Sequence, residues 1–215
     1  MSEEVVVVVS GGEPPDSRAA LAVPHGAPVV AADKGLEHAH SLGLEVMLAV
    51  GDFDSASPEA VARAVSAGTR VQRHPREKDA TDIELALDAA AAMDPARILV
   101  LAGEGGRLDH QLSTLLLLAS DRYARAQVDA LVGSTWVHVV RGARTLEGTP
   151  GELISLLAVG RAAAGVTTDG LEYPLRGETL EAGSSRGISN VFAADTAHVS
   201  VEDGALLALR PEQAK

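Results

Sequence analysis

No cysteine occurs anywhere in this 215-residue chain. Disulfides, zinc–thiolate centres and cysteine nucleophiles are thereby excluded, and a reducing, cytoplasmic setting is the expectation. Aromatic residues make up only 2% of the sequence, too few for the stacked-base platforms of single-strand nucleic-acid binders. Basic residues are also in deficit: 18 Lys and Arg against 30 Asp and Glu give a formal charge of −12. A general affinity for nucleic acid needs a basic face, so no nucleic-acid partner is expected. Long apolar runs are missing as well. Val5–Val9 is far shorter than the ~20 residues that span a bilayer, and Met1-Ser2-Glu3-Glu4 is acidic where a signal peptide is basic. No membrane partner is expected.

Against that background, three polar clusters between Val50 and His110 stand out. They are Gly51-Asp52-Phe53-Asp54-Ser55, Lys78-Asp79-Ala80-Thr81-Asp82 and Gly105-Gly106-Arg107-Leu108-Asp109-His110. The first and third each follow an apolar run of strand type. In a parallel α/β sheet the carboxyl ends of the strands share one edge, where ligands bind. Carboxylates, one Lys and one Arg brought together there suit a divalent cation holding a polyphosphate.

The first 134 residues alternate strand-like and helix-like segments, the pattern of βαβ units. Strands are expected at Val5–Val9, Pro28–Ala32, Val46–Val50, Thr69–Arg73 (polar, hence near an edge), Arg97–Ala102 and Gln127–Val132. Helices are expected over Lys34–Leu42, from the Ser57-Pro58 start to Gly68, from Thr81 to about Met93, and over Leu108–Ala119. Ser57-Pro58 combines a hydroxyl cap with proline at the first helical position. Thr81-x-x-Glu84 has the form of a capping box. Residues 135–215 change character, with short β-type runs at Trp136–Val140, Glu152–Ala158, Ala163–Thr168, Leu171–Leu175, Val191–Phe192, His198–Val201 and Ala205–Leu209. The expected fold is therefore α/β, an N-terminal parallel-sheet domain (1–134) followed by a C-terminal all-β sandwich domain (135–215).

The clusters have local chemistry of their own. Extended backbone past Val50 would send Asp52 and Asp54 out of one face, where they could hold magnesium; an Asp-rich turn is the alternative. Helix capping accounts for Thr81 and Glu84 but not for Lys78, a cation at the positive end of a helix dipole, so an anion is expected there. Asp82 is assigned to metal. Gly103, Gly105 and Gly106 between a strand and a helix would let backbone N–H groups approach a phosphate, with Arg107 adding a planar fork of donors. No Walker lysine or dinucleotide fingerprint is present. The Gly11-Gly12 turn is a second place for part of a nucleotide. His25, His38, His40 and His74 read as surface residues.

Taken in order, Ala32-Asp33-x-Gly35, Gly-Asp-Phe-Asp-Ser at 51–55, Glu77-Lys78-Asp79-x-Thr81-Asp82, Gly-Gly-Arg-x-Asp-His at 105–110 and Ser189-Asn190 resemble the thiamine pyrophosphokinase family over nearly the whole chain. The resemblance implies an α/β ATP-binding catalytic domain, a β-sandwich that binds thiamine and mediates pairing, and a homodimer. It implies transfer of a diphosphate from MgATP to the thiamine hydroxyl with release of AMP. Asp52, Asp54 and Asp82 would be the Mg2+ carboxylates, Lys78 and Arg107 would face the phosphates, and Asp109, His110, Ser189 and Asn190 would meet thiamine. Asp33, Gly51, Ser55, Thr81, Gly105 and Gly106 are assigned to the nucleotide side. The chain departs from the family at Lys34, where a second glycine is usual, and at Thr114, where an asparagine is usual. It also lacks the tryptophan that some members carry beyond Ser-Asn. The rival functions are a diphosphokinase for a pterin-like alcohol and a non-catalytic nucleotide or thiamine-diphosphate binding module.

Overall fold

The structure, a computed structural model, describes residues 4–212, and the acidic start Met1-Ser2-Glu3 lies outside them. The described residues divide into two compact units, one running up to residue 117 and including 125–133, the other of 118–124 and the residues from 134 onward.

The first unit carries β1 (Val5–Val9), β2 (Val29–Ala32), α1 (Gly35–Ser41), β3 (Leu48–Gly51), α2 (Pro58–Ser66), β4 (Arg70–Arg73), α3 (Asp82–Ala91), β5 (Arg97–Ala102), α4 (Leu108–Leu118, its last residue in the second unit) and β6 (Gln127–Val132). The strands form a sheet in the order β6-β5-β1-β2-β3-β4, and every one of these pairings is parallel. The apolar runs of β1 and β5 are buried along almost their whole length, as expected where helices cover both faces of a parallel sheet. Polar β4 lies at the edge, with its side chains mostly exposed. Helix starts follow their local chemistry. The Ser57 hydroxyl accepts from the Ala60 amide at 3.3 Å, and Thr81 Oγ1 accepts from Glu84 N–H at 3.4 Å. Helix α3 buries Ala86, Leu87 and Ala90 and packs on β1, β2 and β3.

The strand order reverses at one place. The chain runs outward from β1 to β4 and then returns to lay β5 on the other side of β1. This is the topological switch point of a doubly wound sheet, where the loops leaving the two central strands part and leave a crevice.

The second unit is antiparallel. It contains β7 (Thr135–Glu147), β8 (Leu153–Ala158), β9 (Ala163–Asp169), β10 (Arg176–Leu180), β11 (Asn190–Val191) and β12 (Thr196–Arg210). The order β10-β9-β12-β7 forms one path, while β8 pairs with both β12 and β11. Side chains from β7, β8, β9, β10 and β12, together with Leu171, Leu175 and Phe192, enclose a single apolar core.

Three expectations are corrected here. The runs at His198–Val201 and Ala205–Leu209 belong to one 15-residue strand, and Trp136–Val140 is only the first part of a 13-residue strand. Gly142 and Asp203-Gly204 are not turns, because the β7–β12 ladder continues across a register shift between Val201 and Leu206. A glycine in a bulge has the same sequence signature as a glycine in a turn. Leu171–Leu175 is not a strand: Leu171 makes a lone bridge to Phe192, and the strand that follows starts at Arg176.

Candidate active site

The carboxyl ends of β2 and β3 adjoin, with Ala32 in register with Val50. Asp33 follows directly, its N–H donating to Val50 C=O at 2.9 Å. Beyond β3 the backbone does not stay extended. Phe53 adopts a left-handed φ of 59° and buries its ring with Ala31, Leu36, Ala49, Ala56 and Val61. The single-face argument for Asp52 and Asp54 is therefore corrected: they flank a residue turned into the core. Asp52 Oδ1 accepts from Asp54 N–H at 3.1 Å, closing an Asp turn, and Ser55 Oγ donates to Asp54 Oδ1 at 3.0 Å.

This turn still assembles carboxylates. Ligand atoms of Asp33, Asp52 and Asp54 all lie within 4.8 Å of one another. Asp33 is buried at 7% exposure, and its Oδ1 has no hydrogen-bond partner. It also holds a positive φ of 46°. Burial raises its pKa, against the Lys34 amide and the Ser55 hydroxyl, and the charges of Asp82 and Asp52 raise it further. Gly51 is the pad between strands here. A Cβ at this position would come within 3.2 Å of Asp33 Cβ and of Asp82 Oδ1, so glycine is what lets the acids converge. An orphaned buried carboxylate oxygen, two more carboxylates in reach and a cradle that a methyl group would fill together fit a hard divalent cation, which takes oxygen ligands.

Lys78 sits beside this group. Its Nζ lies 3.1 Å from Asp52 Oδ2 and 3.1 Å from Asp82 Oδ1, with only 14% of the side chain exposed. Burial alone would raise Asp52 and lower Lys78. The Asp54 amide and Lys78 outweigh it at Asp52, and the two carboxylates outweigh it at Lys78, so Asp52 is lowered and Lys78 raised. The anion that relieves the cation at the start of α3 is thus supplied by the protein itself. Asp54 pairs outward with Arg76 at 3.2 Å.

The third cluster is built differently. Glu104 to His110 are all exposed, Gly105 and Gly106 have φ of 104° and 71°, and the loop lies at the switch point. Gly103 N–H donates to Glu13 C=O at 3.1 Å. A Cβ on Gly103 would fall 2.3 Å from that oxygen, so the loop after β5 can lie against the turn after β1 only with glycine there. Arg107 and Asp109 face each other, Nη2 to Oδ2 at 2.6 Å, and Arg107 draws the Asp109 pKa down to about 2. Strand β1 separates this loop from β2. At ~4.8 Å per strand, the glycine loop and the acid group stand roughly 10 Å apart along the edge.

In the second unit, Ser189 is exposed with a left-handed φ of 59°, and its N–H donates to Ser155 Oγ at 3.1 Å. Asn190 is buried. Its amide accepts from the N–H of Tyr173 (3.1 Å) and of Val191 (2.9 Å) and donates to Tyr173 C=O (2.8 Å). His38, read as surface, is buried with Nδ1 3.1 Å from Ser10 C=O. Asp33, expected on the nucleotide side, stands at the end of the strand beside β3 and so joins the acid group. Glu13, whose C=O meets the Gly103 amide, carries no motif that singles it out in the sequence.

Comparison with known proteins finds two family models on the chain: "Thiamin pyrophosphokinase, catalytic domain" over residues 23–129 and "Thiamin pyrophosphokinase, vitamin B1 binding domain" over residues 138–206. The thiamine pyrophosphokinase of Bacillus subtilis is 27% identical over 183 residues, covering 84% of this chain and 86% of that protein. Its crystal structure superposes with a TM-score of 0.84 at 24% identity over 98% of this chain and 100% of that one. The thiamin pyrophosphokinase of Geobacillus thermodenitrificans gives a TM-score of 0.82 at 26% identity, over 98% and 99% of the two chains.

Proposed function

The chain belongs to the thiamine pyrophosphokinase family, and from that premise we propose that it transfers the diphosphate of MgATP to the hydroxyl of thiamine, giving thiamine diphosphate and AMP. The observation that carries this reading is the acid group at the ends of β2 and β3, with Lys78 inside it and a glycine loop roughly 10 Å away along the same edge. An extended triphosphate spans about that distance. In this reading residues 1–134 bind ATP and perform the transfer, and residues 135–215 bind thiamine. The cytoplasm, where ATP is supplied, is the setting.

The acceptor alcohol must attack the β-phosphorus in line with departing AMP, against the negative charge of the triphosphate. Positioning and electrostatic stabilisation therefore do most of the catalysis. Asp52 and Asp54 would hold Mg2+, with Asp33 and Asp82 within its reach. The ion would neutralise charge on the phosphate oxygens. Lys78, already ionised between two carboxylates, is held where an incoming phosphate can share its ammonium. The Gly105-Gly106 segment offers exposed backbone amides at the switch point. Arg107 would exchange Asp109 for a phosphate, leaving Asp109 free to accept the hydroxyl proton or orient thiamine. Ser189 presents its hydroxyl beside the thiamine subsite. Asn190 acts through the main chain of Tyr173 rather than on thiamine itself.

The assembly in this reading is a homodimer. Leu108, Leu112 and Leu116 on α4 are 76%, 55% and 50% exposed, and their four-residue spacing makes them one stripe, an apolar face of the kind a second copy would cover. Light scattering should give the mass of two chains at micromolar concentration; an active monomer would remove the dimer.

The test of the chemistry is phosphorus NMR of ATP, Mg2+ and thiamine with the protein. AMP and thiamine diphosphate should form in equal amounts, without thiamine monophosphate. ADP accumulation would overturn β-attack. AMP formed only with another alcohol would keep the chemistry and discard thiamine.

A further inference from the structure

Both corners of the sheet edge carry their own counter-ions. Lys78 stands between Asp52 and Asp82, each at 3.1 Å. Arg76 faces Asp54 at 3.2 Å, and Arg107 faces Asp109 at 2.6 Å. In the loop after β1, Arg18 is tied to Asp16 at 3.1 Å. The glycine loop holds a further anion, because the Glu13 side chain lies across it, its Oε1 3.1 Å from where a Cβ on Gly106 would stand. Among the lysines and arginines in the loops that follow β1 to β5, Lys34 is left over. It is exposed and has no ion pair among the described residues.

The acids beside it in sequence are otherwise committed. Asp33 takes the Lys34 main-chain N–H rather than the ammonium. Glu37, one turn along α1, feels the lysine charge, but its carboxylate accepts from Ser57 N–H at 2.8 Å.

Close main-chain packing fixes where Lys34 stands. A Cβ on Gly35 would fall 2.2 Å from the Val9 carbonyl oxygen, and one on Gly11 would fall 2.7 Å from the Ala32 oxygen and 3.2 Å from the Lys34 nitrogen. The segment Lys34-Gly35 therefore lies over the end of β1. In the strand order β5-β1-β2-β3 the acid group is on one side of it and the loop after β5 on the other. Lys34 thus occupies the gap of roughly 10 Å between the two corners.

A triphosphate laid along that gap brings several negative charges to a molecule of formal charge −12. At either end its phosphates compete with carboxylates for cations that already have partners. In the middle they meet a lysine that breaks no ion pair on binding. The glycine usual at this position in the family has no charge to offer.

We propose that Lys34, standing where a glycine is usual, holds the middle of the nucleotide's phosphate chain and so sets affinity for MgATP. The inference rests on the ATP reading of the first unit. A compact ammonium on a flexible stem can follow the phosphate oxygens as the chain moves toward in-line geometry. It attracts the phosphates before and during transfer alike, so its removal acts on KM rather than on kcat.

The test uses the full-length protein and Lys34→Ala, Lys34→Gly and Lys34→Arg, with MgATP binding followed by equilibrium dialysis and turnover by steady-state kinetics. Lys34→Ala and Lys34→Gly should raise the Kd and KM for MgATP about five-fold, the worth of one exposed ion pair. The kcat, the KM for thiamine and the melting temperature should stay as in the parent. Lys34→Arg, which keeps the charge, should bind within about two-fold of the parent. The deficit of Lys34→Ala should shrink as sodium chloride rises from about 0.05 to about 0.5 M, since salt screens an exposed contact. Parent-like MgATP affinity in Lys34→Ala, or a deficit that salt leaves unchanged, would overturn the inference while the proposed function stands. Equal losses toward thiamine and ATP with a lowered melting temperature would make the residue structural and overturn it too. A parent protein that binds no MgATP would bring down the functional reading, and this inference with it.

Discussion

Two charged groups lie on the same sheet edge and are built on opposite principles. At the ends of β2 and β3, Asp33, Asp52, Asp82 and Lys78 are buried or half-buried, Lys78 is paired with both Asp52 and Asp82, and Gly51 and a left-handed Phe53 hold the turn. At the switch point, Arg107 and Asp109 are 71% and 65% exposed and pair only two residues apart. The first group loses hydration on folding and keeps one carboxylate oxygen without a partner, a cost that a bound cation would offset. The second keeps its water and gives up little when a ligand separates its partners. The difference teaches that folding itself organises one corner, while the other stays solvated and loosely paired.

Removing Asp54, the exposed carboxylate at the rim of the acid group, should have the largest consequence. Asp54→Asn should lower turnover by roughly a hundred-fold or more, the scale of one lost electrostatic contact to a transition state, with unfolding unchanged. Near-normal turnover at saturating Mg2+ would take Asp54 out of the mechanism and erase the distinction between the two corners.

A smaller effect is expected from Lys78→Met, which leaves Asp52 and Asp82 without their shared cation. Denaturant unfolding without metal should lose about 2 kcal/mol, below the full value for a buried pair because both partners keep some exposure. Mg2+ should restore part of that loss and stabilise the variant more than the parent. Identical midpoints with and without Mg2+ would mean that no cation enters this corner.

The smallest structural effect belongs to the exposed pair. Arg107→Ala should leave the unfolding midpoint unchanged, because the pair is exposed, and lower turnover about ten-fold as a lost phosphate contact. Carboxyl NMR should find Asp109 titrating at about 2 in the parent and near the ordinary 3.8 in the variant. Because the folded value is depressed, the pairing operates fully above pH ~4 and fades as pH falls through about 2. An Asp109 that titrates near 4 in both proteins would show that the pair does not persist in solution.

Much of the α/β unit is legible in the sequence because its signals are local. Ser57-Pro58 and Thr81 start their helices with their own side chains, and Arg70–Arg73 is polar because it lies at the edge. The β unit is less legible, since Gly142 and Gly204 interrupt the apolar alternation without ending their strands. The acid group is half legible. Asp52 and Asp82 announce themselves by motif, but Asp33 joins them only because β2 is paired beside β3. Asn190 is visible as a residue of interest, while its hold on Tyr173 across 17 positions is not.

By itself, then, the sequence determined the parallel α/β order, the helix caps, the supply of acids and glycines, and the family. Capping, turn formation and strand alternation act over a few residues, so the residues that perform them also advertise them. Tertiary structure alone decided that Lys78 is neutralised from within, that Phe53 turns inward, that Asp33 completes the acid group and that Lys34 stands over the end of β1. Each of those depends on which strand ends lie ~4.8 Å apart once the sheet is assembled, a proximity that no segment carries in its own residues.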